Sequence, residues 1–182
     1  MSDMIRLVYA SQARDVAEGA TVNPAIGGIL TQSRRNNSRD HIGGVLYYGD
    51  GFFFQCLEGE REAVESTYAR IQADSRHYNA RVIRSYVTMT RMFSNWSMKY
   101  VPAQQDVQQF LKGHGMDVFN PYLFEEQLID ELLLFFHDAV NASTVIDPAA
   151  AVASSTSNQP LSQQPRRPPA QKSSWLGRLL GR

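Results

Sequence analysis

Residues 43–60, GGVLYYGDGFFFQCLEGE, decide the fold of this chain. Two apolar runs typical of buried strands, GGVLYY and FFFQCLEG, flank the sequence Gly49-Asp50-Gly51. Glycine adopts the positive φ angles of short hairpin turns without steric strain, so we expect both glycines to form the turn. The segment therefore predicts two strands joined as a β-hairpin.

Gln55 is the unusual residue of this hairpin. Side chains alternate along a strand, which places Phe53, Gln55 and Leu57 on one face and Cys56 on the other, where it reads as a small buried apolar residue. A buried amide without hydrogen-bond partners costs about 1–3 kcal/mol. Either Gln55 points to solvent, or the fold supplies a partner for it.

Two helices and three more strands are expected outside the hairpin. Asn23 is predicted to cap a first helix that has Pro24 at its first position and runs to about Arg35. The apolar spacing of residues 60–74 predicts a second, amphipathic helix. The further strands are expected at MIRLVYA (4–10), RVIRSYVTMT (81–90) and WSMKYV (96–101).

The resulting order, β-α-β-β-α-β-β, is a split βαβ pattern with one extra strand. We therefore predict an α+β, ferredoxin-like fold: a sheet of five mixed strands with two helices on one face, plus C-terminal helices. The first and third strands are expected to lie adjacent and parallel at the centre. Tyr9 and Gln55 would then project from that pair toward the two helices.

The remaining chain divides into helical and low-complexity parts. A short helix is expected at residues 104–113, and the apolar arc of residues 123–140 is wide enough to predict a helix packed on the sheet or on a second subunit. We place domain boundaries at 1–102, 103–143 and 144–182, the last being a disordered Pro/Ser/Gln-rich tail. Its end, residues 173–182, is basic and amphipathic, and reads either as an inert tail or as a segment that touches a membrane surface or a partner.

Composition and charge exclude several classes of protein. The 43% of hydrophobic residues suffices for a sizeable core. Residues 1–146 carry 13 Lys/Arg against 17 Asp/Glu, so we expect no direct nucleic-acid binding. We predict a cytoplasmic protein, because the sequence has a single cysteine and no signal-peptide pattern. Its longest apolar run is only LLLFF (132–136). No metal site is predicted, because His114 and His137 lack a partner at ligand spacing.

Several polar residues are expected around the cleft between the two helices. The first helix ends with Asn36 and Asn37, and the second carries Arg70, Asp74 and His77 along one side and at its C-terminal end. An asparagine amide can pair edge-on with an adjacent imide carbonyl and N–H. The cleft therefore suits a flat, heterocyclic ligand.

Five motifs in this order and spacing resemble the BLUF domain, a blue-light sensor that uses FAD: LVYASQ, RRNN, GGVLYYGDGFFFQCLEGE, IQADSRHYNARVI and RMFSNWSMKYV. The resemblance covers roughly residues 4–102. It implies that the flavin ring inserts between the two helices. By this resemblance Tyr9 matches the redox-active tyrosine, Gln55 matches the glutamine that bridges it to the flavin, and Asn37, beside Asn36, matches the asparagine that binds the imide edge. Ile29 matches an apolar residue packed on the ring, and the further matches are pocket positions at Arg70, Asp74 and His77 and signal-output positions of the fifth strand at Trp96 and Met98.

The resemblance also implies a mechanism and shows one departure. Excitation of oxidised FAD draws an electron and a proton from Tyr9, and Gln55 rotates or tautomerises before they return, which leaves new hydrogen bonds around the flavin. Most members of the family read Gly-Ile-Thr-Gly where this chain has HIGG, so His41 and Gly43 stand in place of glycine and threonine. This departure touches none of the residues needed for the photochemistry.

The sequence therefore favours a photoreceptor that is not an enzyme. With no catalytic segment after the sensor, output is expected through the C-terminal helices, the tail or an unidentified downstream protein, and a homo-oligomer could form through the sheet and those helices. Two alternatives stay open: a flavin-binding redox protein, although no Rossmann glycine fingerprint is present, and a light-insensitive, degenerate sensor that acts only as an interaction module. A ferredoxin-like binder without flavin is disfavoured by the acidic body.

Overall fold

A computed structural model describes residues 3–14 and 25–144. Its elements are β1 (Met4–Ala13), α1 (Ile26–Arg39), β2 (Gly43–Gly49), β3 (Phe52–Glu60), α2 (Arg61–Gln72), β4 (His77–Val87), β5 (Lys99–Tyr100), α3 (Gln104–Gly113), a 3-10 turn (Pro121–Leu123) and α4 (Glu126–Thr144). The predicted order of strands and helices is confirmed. The predicted cap at Asn23 and Pro24 and the basic segment 173–182 lie outside the described residues.

The sheet has the order β4-β1-β3-β2-β5. β1 runs antiparallel to β3 and β4, while β2 runs antiparallel to β3 and parallel to β5, which confirms the mixed five-stranded sheet. The expected parallel pairing of the first and third strands is wrong. In a split βαβ unit the parallel strands are β1 and β2, and β3 enters between them from its hairpin with β2, so it is antiparallel to both.

The hairpin turn uses two residues rather than three. Asp50 has φ 48° and Gly51 has φ 83°, whereas Gly49 ends β2. A two-residue turn with positive φ at both positions matches the twist of the strands it joins. Asp50 also accepts a hydrogen bond at Oδ2 from the Phe119 N–H at 2.7 Å, which ties the turn to the C-terminal segment.

Each face of the sheet carries its own apolar layer. The first layer packs α1 and α2 on the sheet and includes Ile29, Leu46, Phe53, Leu57 and Val64. The second layer packs α3 and α4 on the opposite face, with these members among its buried residues: Val45, Phe54, Cys56, Val107, Leu111, Ile129, Leu132 and Phe136. The structure thus confirms that α1 and α2 share one face and that Cys56 is buried opposite Gln55. It also explains the wide apolar arc of α4, which lies directly on the sheet.

Several expected boundaries differ in the structure: β1 extends to Ala13, β4 spans His77–Val87 instead of 81–90, and both helix ends move. α1 continues past Arg35 to Arg39. α2 ends at Gln72, because the Asp74 side chain accepts a hydrogen bond from the Arg76 backbone N–H and turns the chain. Asp74 therefore lies in the turn, and His77 begins β4.

None of the helices between residues 25 and 144 is long and apolar enough to cross a membrane.

The fifth strand is shorter than predicted. Only Lys99 and Tyr100 pair with β2, and both Trp96 and Met98 lie in the irregular segment before it. The backbone there is bonded to other elements: the Trp96 carbonyl accepts from the Gly44 N–H at 3.1 Å, and the Met98 carbonyl accepts from Arg34 Nε at 3.0 Å. Because its carbonyl groups bond Arg34 of α1 and Gly44 at the start of β2, the segment has no regular strand ladder.

Candidate flavin-binding site

A cavity of about 60 Å³ lies between α1, α2 and the sheet. All eight residues that the sequence proposed for ligand binding line it: Tyr9, Ile29, Asn36, Asn37, Gln55, Arg70, Asp74 and His77. Trp96 and Met98 are not part of the lining, although the Met98 sulfur accepts a hydrogen bond from Gln55 Nε2. The strand alternation of β1 and β3 and the helical spacing of α1 therefore converge on one place.

Tyr9 and Gln55 form the buried centre of this site. They are opposite each other in the β1–β3 register and are 3% and 2% exposed. Tyr9 Oη donates a hydrogen bond to Gln55 Oε1, and Gln55 Nε2 donates to the sulfur of Met98 at 3.4 Å. Both ends of the buried amide therefore have partners, which explains why an amide is tolerated in this core.

Burial determines the protonation state of Tyr9. Loss of hydration raises the pKa of the Tyr9 phenol far above its ordinary value, and the nearby phenol of Tyr68 and carboxylate of Asp74 act in the same direction. The Tyr68 ring lies 5.3 Å from the Tyr9 ring, centroid to centroid. Tyr9 is thus a neutral hydrogen-bond donor whose proton is directed at Gln55.

Asn37 is the buried amide of the helical wall. Its position in the last turns of α1 points it into the cavity, and Nδ2 donates to the Ser97 carbonyl at 2.8 Å. Asn36 is half-buried beside it, and Ile29 supplies an apolar surface two turns earlier. Asn37 therefore joins α1 to the same irregular segment that Gln55 reaches through Met98.

His77 has an unsatisfied polar atom. The side chain is buried at the start of β4, and its Nδ1 makes no hydrogen bond. Burial lowers the pKa of His77 below its ordinary value of 6.5, so the imidazole is neutral in the folded protein. A buried nitrogen without a partner is costly, and a ligand in the cavity could satisfy it.

An ion pair joins α2 to the end of α1, and a hydrogen bond to a neutral amide joins α1 to the turn after α2. Arg70 donates to Asp40 Oδ2 at 2.8 Å, at the C-terminal end of α1. Arg76 is held by Asp74 and donates from Nη2 to Gln32 Oε1 at 2.7 Å. Hydrogen bonding to Arg76 lowers the pKa of Asp74, so this carboxylate is ionised.

Arg76 is the functional candidate that the sequence reasoning missed. A Cβ added at Gly28 would lie 3.6 Å from Arg76 Nη1, so the guanidinium packs close to α1, and Arg76 lines the cavity. The signal was present, since Arg76 stands between Asp74 and His77 in the sequence. Helical spacing does not predict this role, because a helix over these residues would turn position 76 away from Asp74 and His77. By contrast, a Cβ added at Gly27 would have no atom within 4 Å.

Comparison with known proteins places the chain in a family. The model of the BLUF family, sensors of blue light using FAD, matches residues 4–99, more than half of the 182 residues. The chain therefore belongs to the BLUF family, and its cofactor is FAD.

Individual relatives agree with this assignment. Photoactivated adenylate cyclase subunit beta of Euglena gracilis is 30% identical over 99 residues, which are 54% of this chain and 11% of that protein. A solved structure of BlsA in its photo-activated state has a TM-score of 0.68 at 39% identity and covers 74% of this chain and 94% of BlsA. The dark-state structure of BlrB, a BLUF protein, has a TM-score of 0.58 at 28% identity, with 79% and 98% covered. The chain spans about a tenth of the length of this cyclase subunit.

The residues around the cavity fit a flavin. The ring system needs flat apolar walls and a set of donors and acceptors along its imide edge, and the site offers both. Ile29, Leu46 and Phe53 form apolar walls, while Asn37 and the unpartnered Nδ1 of His77 face the same space. The cavity is smaller than the roughly 300–1,000 Å³ of most ligand pockets, and Arg76 is among the residues that line it.

Proposed function

We propose that this protein is a blue-light photoreceptor in which Tyr9 and Gln55 form the switch and the segment before β5 carries the signal. The observation that supports this most directly is the buried chain of hydrogen bonds from Tyr9 Oη to Gln55 and from Gln55 to the sulfur of Met98. It links a redox-capable phenol to the start of β5 through a single amide.

The site residues divide the work of holding the cofactor. Ile29 offers a face for the ring, Asn37 pairs with the imide edge, and His77 Nδ1 accepts or donates at the ring periphery according to its tautomer. Asn36, Arg70 and Asp74 complete the wall, and Arg76 bonds Asp74 and Gln32 beside them. When bound, the flavin absorbs blue light and accepts an electron and a proton.

Tyr9 supplies that electron and proton. Because its raised pKa keeps the phenol protonated in the dark, the proton leaves only after the electron does, when the oxidised phenol has become strongly acidic. Gln55 is the hydrogen-bond partner of that proton. If its amide turns over, Nε2 takes the place of Oε1 and Gln55 becomes a donor toward Tyr9 instead of an acceptor.

The same rotation changes the contact to Met98. A turned amide presents an oxygen to the Met98 sulfur, and the donated hydrogen bond is lost. Met98 packs in the α1–α2 layer, and Trp96, two residues earlier, packs in the α3–α4 layer. A shift of this segment is therefore felt on both faces of the sheet, and we assign Trp96 and Met98 to signal output.

The C-terminal helices are the proposed route to a partner. We assign residues 1–102 to the sensor, 103–143 to the output segment and 144–182 to a tail. The cyclase relative is a photoactivated enzyme by name, whereas in this chain we expect α3 and α4 to change their contacts with a separate downstream protein.

Absorption spectra of the purified protein test this function. In the dark we expect a flavin spectrum, and directly after blue light we expect a small red shift that recovers in darkness. Bound flavin that never responds would indicate a degenerate sensor. Bleaching that requires an added electron donor would indicate a redox protein, and either result would contradict the proposal.

A further inference from the structure

A buried ion pair on the opposite face of the sheet reaches the same segment. Glu58 of β3 is 0% exposed and Arg6 of β1 is 8% exposed. Glu58 Oε1 accepts from Arg6 Nε at 2.5 Å, and Glu58 Oε2 accepts from the Phe93 backbone N–H at 2.8 Å. Burying a charge pair is costly, and apolar replacements are often no less stable. The pair is therefore better explained by what it positions than by stability.

On one side the pair holds the segment that contacts the flavin site. Phe93 begins the stretch in which the Ser97 carbonyl accepts from Asn37 and the Met98 sulfur accepts from Gln55. Fixing the Phe93 N–H on a buried carboxylate fixes where this stretch starts. Glu58 does not line the cavity, but it holds the start of the stretch whose Ser97 and Met98 bond the cavity residues Asn37 and Gln55.

Gly43 makes this arrangement sterically feasible. It is the residue directly opposite Glu58 in the β2–β3 register. A Cβ on Gly43 would lie 2.6 Å from the Phe93 carbonyl oxygen, a distance that real Cβ atoms do not show. The Phe93 backbone therefore packs directly against Gly43, which has no side chain, while the Phe93 N–H donates to the Glu58 carboxylate.

On the other side the pair reaches α4. Arg6 Nη1 donates to Tyr86 Oη at 2.7 Å, and the Arg6 and Arg84 guanidinium carbons lie 5.4 and 4.9 Å from the centroid of the Tyr86 ring. Arg84 then binds Asp130 in a bidentate manner, at 2.9 and 2.8 Å, and also pairs with Glu126. Both carboxylates belong to the first turns of α4.

We propose that the buried Arg6–Glu58 pair is a positioning element that fixes segment 93–98 at the photosensitive site and couples it, through Tyr86 and Arg84, to the start of α4. Burial alone would lower the pKa of Arg6, whereas the charge of Glu58 and the hydrogen bonds to Tyr86 and Glu58 raise it, so the buried guanidinium stays charged. The role in signalling rests on the proposed photoreceptor function. The mechanical coupling does not.

Hydrogen exchange of the FAD-loaded full chain in the dark tests the coupling. Glu58→Gln keeps the shape and an acceptor but removes the charge, and Glu65→Gln is the matched control in the exposed Arg61–Glu65 pair. For Glu58→Gln we expect roughly tenfold faster exchange in both 93–98 and 129–133, the first hydrogen-bonded amides of α4, with β3 amides unchanged. The control should match the wild type. Faster exchange in only one of the two segments, or in neither, overturns the proposal.

Arg84→Met provides a second variant if Glu58→Gln does not fold. It leaves the buried pair intact and removes only the link to α4, so we expect faster exchange at 129–133. Under light we expect the wild-type change in α4 exchange to be lost while the red shift remains. An unaltered light response of α4 in this variant overturns the proposal. A wild type without any red shift defeats the photoreceptor function, and the dark exchange data then still decide the coupling.

Discussion

Tyr9 and Gln55 lie directly opposite each other across antiparallel strands β1 and β3, and the phenol of Tyr9 donates its hydrogen bond to the amide oxygen of Gln55. Neither side chain has more than 3% of its surface exposed. A hydrogen bond in such a low-dielectric environment is strong, and an intermediate arrangement that leaves a buried donor or acceptor without a partner is costly. The pair therefore suits a switch with two fully bonded arrangements rather than a continuous adjustment.

Tyr9→Phe removes the donor and the source of the electron and proton. We expect FAD binding to persist, the light-induced red shift to vanish, and the free energy of unfolding to fall by about 1 kcal/mol, because the Gln55 oxygen loses its partner. Absorption spectra and urea unfolding measure these effects. Tyr68→Phe is the matched control, because its ring packs on Tyr9 without bonding Gln55, and it should keep the red shift.

Gln55→Leu removes the switch itself while keeping a similar volume. The phenol then has no amide partner, so we expect bound FAD with no red shift. Met98→Leu is the informative comparison, because it removes only the sulfur that accepts from Gln55 Nε2. It should keep the red shift and change the rate of dark recovery. A normal photocycle in Gln55→Leu would show that the amide is not the switch.

The pKa of His77 predicts a pH dependence of stability. In the folded protein burial lowers this pKa below 6.5, whereas in the unfolded chain it returns to the ordinary value. Between these two values the unfolded state binds more protons, so the free energy of unfolding falls as the pH drops from above 6.5 through the folded pKa.

His77→Gln should remove this part of the acid sensitivity. Urea unfolding of the apoprotein between about pH 8 and pH 5 measures it, and the variant should show a flatter profile over that window. His114 must be followed alongside, since hydrogen bonding to the Phe110 carbonyl and to Glu131 raises its pKa and gives the opposite slope. An identical profile for His77→Gln and the wild type would contradict a neutral, buried His77.

The left-handed backbone at His41 predicts a stabilising substitution. His41 has φ 54°, a conformation that costs a residue with a Cβ roughly 1 kcal/mol relative to glycine. His41→Gly should therefore raise the free energy of unfolding by about 0.5–1 kcal/mol. Asn79→Gly is the control, since Asn79 has φ 56° but asparagine tolerates this region, and its change should be smaller. Destabilisation by His41→Gly would point to an unrecognised contact of the imidazole.

Gly43→Ala tests the close approach of Phe93 to β2. The added methyl group meets the Phe93 carbonyl, so segment 93–98 must shift, and we expect a loss of about 2 kcal/mol of stability with an altered dark recovery. Gly27→Ala is the matched control, since no atom lies within 4 Å of the new methyl and the helix should gain up to about 1 kcal/mol. A neutral Gly43→Ala would contradict the tight contact.

Periodicity was sufficient to predict most of the fold and the centre of the site. Alternation in β1 and β3 placed Tyr9 and Gln55 on one face, and helical spacing placed Asn37 on the wall of the same cleft. Strand direction was predicted wrongly because alternation is identical for parallel and antiparallel neighbours. Only the connection through the β2–β3 hairpin determines it.

Contacts between distant segments could not be read from local patterns. The end of α2 depends on the hydrogen bond from the Arg76 backbone N–H to the Asp74 side chain. Local patterns do not show this bond, so they did not predict Arg76 as a cavity residue. The partner of the Gln55 amide nitrogen is a sulfur 43 positions away, in a segment that has strand-like composition but no strand ladder. Such pairings are set by tertiary packing, which overrides propensity.

The most direct test of the central claim is the side-chain amide resonance of Gln55 in ¹⁵N-labelled, FAD-loaded protein, recorded in the dark and under blue light. If Gln55 is the switch, this resonance moves in the light and returns at the rate at which the absorption band recovers, and it stays fixed in Tyr9→Phe. A red shift of the absorption band with the Gln55 resonance unmoved would contradict the switch.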